Sequence, residues 1–163
     1  MLENLVRTAI RREDLDIDYN GYTATNHFGW EYQVSIEQSE SCLEPSYIKP
    51  LQKKIVLKTG CEVSDQGHYL SHALAHELGH SETFFVTTPI LAIIAFAGLR
   101  HAYKEHSIKT FLYTCATVAS YRLVVDEAAA EIAASVNHGT IMMDWRGELT
   151  SLVNFSRNVI DLF

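Results

Sequence analysis

The chain has 163 residues, with 13 Lys and Arg against 20 Asp and Glu, for a formal net charge of −7. Hydrophobic residues make up 47% and charged residues 20%, a globular composition that excludes extensive disorder. The acidic balance argues against a nucleic-acid binder, which needs a basic face, and no internal repeat points to a solenoid or coiled coil.

Leu2, Leu5, Val6 and Ile10 recur at helical spacing and predict a short amphipathic helix over 2–13. The opening MLENLVRTAIRRED lacks the apolar run and small-residue cleavage site of a signal peptide. The expected location is therefore cytoplasmic, with membrane association left open. Cys42, Cys61 and Cys115 are odd in number and widely spaced, which fits reduced thiols better than a disulfide framework or a Cys-rich zinc site.

From Asp14 to Gln38 the hydrophobic period drops to two. Leu15, Ile17 and Tyr19 precede an Asn20-Gly21 turn, and Trp30, Tyr32, Val34 and Ile36 alternate with polar residues. This predicts two or three antiparallel strands. Residues 38–50, with Pro45 and Pro50, read as a loop, and Lys54–Lys58 as a further short strand closed by Thr59-Gly60. Ser64, Asp65 or Gln66 can cap a helix running to about Ser81. A charge-free stretch, Thr83–Leu99, is followed by a polar turn over 100–109 and a second apolar stretch over 110–125. That stretch leads directly into DEAAAEIAASV. Leu149, Leu152, Val153, Val159, Ile160 and Phe163 predict an amphipathic C-terminal helix.

The expected fold is α+β: a small antiparallel sheet, then an active-site helix, an apolar helical hairpin and a ligand helix. A single domain would hold all 163 residues. Residues 1–60 would be mostly strands with an N-terminal helix, 61–137 the catalytic helices, and 138–163 the C-terminal helix. Both apolar stretches fall short of the roughly 20 residues of a membrane span, and Arg122 interrupts the second. A buried helical pair in a soluble domain and a membrane-seated hairpin therefore both remain open.

The chain has 8 histidines, and four of them, His68, His72, His76 and His80, stand four apart. On a helix they form one stripe, along which only neighbours can share a metal ion. Glu77 follows the first histidine of the last pair, giving HELGH, an HExxH motif. Two imidazoles one turn apart can bind zinc, and the intervening glutamate can take a proton from the attacking water. HYLSH (68–72) and HALAH (72–76) lack that acid, so His68 and His72 are expected to be neighbours without a metal. Gly79 is unfavourable inside a helix, by about 1 kcal/mol relative to Ala, which implies a packing reason.

A catalytic zinc needs a third protein ligand. Thr83 stands where the extended motif HExxHxxGxxH has its glycine, so that route is closed. His101 and His106 lie on the polar turn. Glu127 is the better candidate. With Glu131 it shares one face of a helix, so one carboxylate can bind the metal while the other orients a ligand histidine. Asp126 faces about 100° away. Ala128, Ala129 and Ala130 would let this helix pack closely on the HELGH helix.

AHELGH (75–80) followed by EAAAE (127–131) resembles the gluzincin clan of HExxH zinc metallopeptidases. It is most similar to the HtpX/CAAX-prenyl-protease branch and the minigluzincins. ImmA/IrrE-type peptidases share both motifs. The resemblance covers about residues 54–137. It implies one Zn²⁺ ion, with His76, His80 and Glu127 as ligands, Glu77 as general base and Glu131 supporting a ligand. The family usually has Asp at the position of Glu131, and its arginines before the ligand glutamate are matched only nearby, by Arg122. The implied function is zinc-dependent hydrolysis of peptide bonds in a peptide or protein substrate. The alternative is a catalytically inactive metal-binding regulatory or protein-interaction module. His138 and Arg146 are candidate oxyanion stabilisers or have ordinary surface roles, and Lys54–Lys58 either resembles the edge strand on which zincin substrates lie or is a plain sheet strand. The C-terminal helix, ending Ile160-Asp161-Leu162-Phe163, offers a cover that would keep such an enzyme latent.

Overall fold

A computed structural model describes residues 1–38, 46–59 and 66–140. The expectations for Cys42, Cys61, Ser64, Asp65, Arg146 and the C-terminal helix lie outside the described residues. Within those residues the contacts divide the chain into two units, 1–84 with 129–140, and 85–128.

The first unit opens with helix α1 (Leu2–Arg12), which buries Val6, Ala9 and Ile10 as its apolar stripe predicts. Strands β1 (Asp18–Tyr19), β2 (Thr23–Thr25) and β3 (Glu31–Gln38) follow. They pair antiparallel in sequence order. Asn20 shapes the β1–β2 turn, its Oδ1 accepting from the amides of Tyr22 and Thr23, each at 2.9 Å.

Two further strands, β4 (Tyr47–Lys49) and β5 (Lys54–Thr59), complete a five-stranded sheet of order β1-β2-β3-β5-β4. β4 falls inside the stretch expected to be loop. Of the two readings of β5, substrate-binding edge strand or plain sheet strand, the structure supports the second: β5 lies between β3, to which it is parallel, and β4, to which it is antiparallel. Its sequence explains this. Ile55, Val56 and Leu57 are all fully buried, and three successive apolar residues suit a strand covered on both faces. The fold is α+β, with a mostly antiparallel sheet.

Helix α2 (Gln66–Glu105) is one continuous helix of 40 residues. The break expected after Ser81 does not occur, and the turn expected over 100–109 is present but narrower. Pro89 lies inside the helix, and the turn to the next helix needs only His106, at φ 49, and Ser107. In its first part Leu70, Leu74, Ala75 and Leu78 recur at helical spacing. They join Val6, Ile10, Tyr32, Ile55 and Leu57 in one core. Helix α4 (Glu127–His138) supplies Ala134 to the same core.

The second unit comprises the remainder of α2, helix α3 (Ile108–Ser120) and a π-helical turn, Tyr121–Asp126. Ser107 caps α3, its Oγ accepting from the amide of Thr110 at 3.2 Å. This is a helical hairpin but not a buried pair. The most apolar 18-residue window of α2 has mean hydropathy 1.8, and only 11% of it is buried. Phe85, Val86, Ile93 and Phe96 on α2, and Ile108 and Tyr113 on α3, are exposed.

Candidate metal centre

The last two histidines of the stripe stand on α2 with their rings stacked edge to face, centroids 4.7 Å apart. Glu127 opens α4. One ligand atom from each of His76, His80 and Glu127 can be chosen so that all three lie within 4.8 Å of one another. All three residues are partly buried, enough to restrain the side chains and leave access to solvent. Two imidazoles and a carboxylate make a donor set suited to zinc.

Glu131 lies one turn beyond Glu127 and places Oε1 2.8 Å from His76 Nδ1. A proton on Nδ1 donated to that carboxylate makes Nε2 the nitrogen that carries the lone pair, the usual arrangement for a metal-binding histidine. Glu131 is buried and His76 half-buried, so this hydrogen bond is shielded from water. Both roles expected of the EAAAE segment thus fall on residues that meet the HELGH helix.

Close helix packing makes this possible. A Cβ on Gly79 would collide with the carbonyl oxygen of Ala130 and stand 3.1 Å from the amide nitrogen of Ala134. The missing side chain lets the backbones of α2 and α4 touch, so the helix penalty of Gly79 is exchanged for the approach of the two motifs. Glu77, between the two histidines in sequence, is buried at 4% exposure.

Asp126, the other acid considered as a ligand, is engaged elsewhere. Its Oδ1 accepts from Thr87 Oγ1 at 2.7 Å, and Oδ2 pairs with Arg122 at 2.5 Å. A π-helical turn ends at Asp126, immediately before Glu127. Such turns carry one extra residue per turn and gather at functional sites. Nothing in the residue pattern signalled this one.

His138, a candidate oxyanion stabiliser, has both ring nitrogens occupied. Nδ1 lies 2.8 Å from the carbonyl oxygen of Asp16, and Nε2 lies 3.0 Å from Glu82 Oε1. At 2% exposure it ties the end of α4 to α2 and to the segment before β1. No other described residue is assigned the oxyanion role.

Glu82, which the sequence reading passed over, is the centre of this knot. It also accepts from the amide of His27 at 2.8 Å and from Asn137 Nδ2 at 2.6 Å. Burial pushes its carboxyl pKa up, but the hydrogen bonds from His138, Asn137 and His27 outweigh that and hold it below the ordinary value. Burial likewise pushes the His138 pKa down, and the hydrogen bonds to Glu82 and Asp16 leave it raised on balance. Each partner thus favours the charged form of the other.

The first two histidines were expected to be bystanders, yet they meet Glu13, the residue that ends α1. His68 Nδ1 lies 2.6 Å from Glu13 Oε1, and His72 Nε2 lies 2.8 Å from Oε2. Compared with known proteins, the chain matches no family model, no curated protein and no solved structure.

Proposed function

We propose that the chain is a zinc-dependent metallopeptidase of gluzincin type, its metal held by His76, His80 and Glu127. The observation that carries this reading is the convergence of those three ligand groups within 4.8 Å, reached from motifs 47 positions apart (127 − 80). A zinc ion there would supply Lewis-acid activation of a water and of the scissile carbonyl. Glu77 takes the proton of the attacking water and returns it to the leaving amine, as the general acid and base. Glu131 fixes the tautomer and orientation of His76. Glu82 and His138 hold the end of α4 to α2.

The proposal also seats the exposed hairpin of residues 85–125 in a lipid bilayer. Its support is the combination of length, hydropathy and exposure in one helix. Large exposed apolar surfaces mark interaction sites, and Thr83–Leu99 contains no charged residue. The Arg122–Asp126 ion pair offsets part of the cost of a charge at that depth.

The test uses the full chain purified with zinc and a peptide library. Glu77→Gln should keep the metal and lose cleavage by about 10²–10⁴-fold, the usual weight of general acid–base catalysis. Undiminished cleavage would overturn the reading. Stoichiometric zinc in the unmodified chain, with no cleavage of any library member, would favour an inactive metal-binding module instead.

A further inference from the structure

We infer that Glu13, His68 and His72 form a second divalent-metal site, independent of the proposed catalytic one, that staples α1 to the start of α2. The three residues offer ligand atoms that all lie within 4.8 Å of one another. The histidine pair repeats the geometry of the HELGH pair, four residues apart on the same helix with ring centroids 4.5 Å apart. Each pair is met by a glutamate from outside α2: Glu127 on α4, and Glu13 at the C-terminal cap of α1.

The geometry of Glu13 separates a metal site from a plain ion pair. Its Oε1 makes a hydrogen-bond contact with His68 Nδ1 at 2.6 Å. Its Oε2 is buried and has no hydrogen-bond partner among the described residues, although His72 Nε2 lies only 2.8 Å away. The distance suits a hydrogen bond but the alignment does not. A buried carboxylate oxygen left in this way keeps its desolvation cost uncompensated. A cation accepting the lone pairs of Oε2 and His72 Nε2 together removes that cost. Ligands of a tetrahedral zinc stand about 3.3 Å apart, somewhat wider than the 2.6 and 2.8 Å of the two His–Glu contacts. His68 is the exposed member, at 54%, and His72 and Glu13 are mostly covered, at 13% and 15%. That leaves the remaining coordination positions to water.

The two helices are already held close where the site needs them. A Cβ on Gly67 would stand 2.9 Å from the carbonyl oxygen of Leu5 and 3.5 Å from Ala9 Cβ. Contact between α1 and α2 thus places Glu13 without demanding that the metal order it. Two imidazoles and one carboxylate fit zinc and its first-row neighbours better than calcium or magnesium, which prefer all-oxygen sites. With solvent completing the coordination, the metal acts on stability by binding the folded state alone.

The experiment measures metal per chain by elemental analysis after loading the full chain with Zn²⁺ and removing excess by dialysis. Two ions per chain are expected. His72→Ala and Glu13→Gln should each reduce the content to one and abolish the rise in melting temperature that comes from filling this site. His76→Ala should also reduce it to one while leaving that rise in place. A zinc content unchanged by both His72→Ala and Glu13→Gln would overturn the inference and leave an ordinary His–Glu ion pair. His68→Ala, at the exposed position, gives the same reading should the other two fail to fold. One ion lost with His72→Ala but retained with His76→Ala would support this site and sink the catalytic one. The reverse pattern would do the opposite.

Discussion

The two parts of α2 obey opposite rules. Before Phe84 the helix is amphipathic: Leu70, Leu74 and Leu78 are fully buried, and the histidine stripe runs along a neighbouring face. From Phe85 to Leu99 the helix carries no charge and is mostly uncovered. A helix that buries one stripe is solved by water on its other face, whereas a helix apolar all round needs another solvent or a partner. The contrast shows where the protein's own core ends and where its surroundings must supply the rest.

The strongest challenge to this contrast is to place charge in the second part. Ile93→Asp combined with Phe96→Asp should cost roughly 5–7 kcal/mol of membrane insertion, at about 2.5–3.5 kcal/mol per charge. The chain should move from the membrane fraction to the soluble fraction on flotation. Retention in the membrane fraction would remove the lipid reading of the hairpin.

Matched truncations sharpen the contrast further. Leu74→Ala should destabilise the first unit by about 2–5 kcal/mol, from lost burial plus the cavity left behind. Ile93→Ala, at a position 68% exposed, should change melting of the first unit by less than about 0.5 kcal/mol. Equal effects would mean that the second part is packed after all. A smaller effect is expected at the metal centre. Glu131→Gln should weaken zinc binding about 10–100-fold, the usual weight of a residue that orients a metal-binding histidine, and competition with a chelator of known affinity would read it.

The gentlest test is pH. The raised pKa of His138 contributes stability that is complete below its ordinary value of 6.5 and is lost as pH rises through the raised one. The lowered pKa of Glu82 contributes stability that is complete above its ordinary value of 4.5 and is lost as pH falls through the lowered one. The knot should therefore stabilise the first unit most between about pH 4.5 and 6.5. Denaturant titrations of the unmodified chain should show a decline on the alkaline side that His138→Gln flattens. An unchanged profile in the variant would remove His138 from the account.

What could be read from the residues alone was local. α1, α4, HELGH and the pairing of Glu127 with Glu131 follow from spacings of three and four, which one helix expresses by itself. The approach of Glu131 to His76 also spans 55 positions, and it was legible only because both ends carry a motif. Glu13 and His68 are separated by the same 55 positions, but nothing marks Glu13 among the other acids. Glu82 escaped notice for a related reason, since its donors come from a turn and from the far end of α4. The interior place of β5 depends on parallel pairing with β3, a register that alternation along one strand does not encode. The run Ile55-Val56-Leu57 was the available sign. The continuity of α2 was hidden because the change near Ser81 from an amphipathic pattern to an all-apolar one reads as a boundary, whereas the helix runs on through it.

Gly79 has a consequence for any mutational scan of this protein. Every other residue would set a Cβ against the backbone of Ala130, so all nineteen replacements should score as inactive without one of them touching the chemistry. The neighbouring Leu78, buried in the core, should accept Met or Ile. Under the proposed function, an activity screen would rank position 79 with His76, Glu77 and His80, and only a separate measure of folding would tell the steric requirement from the proposed catalytic one.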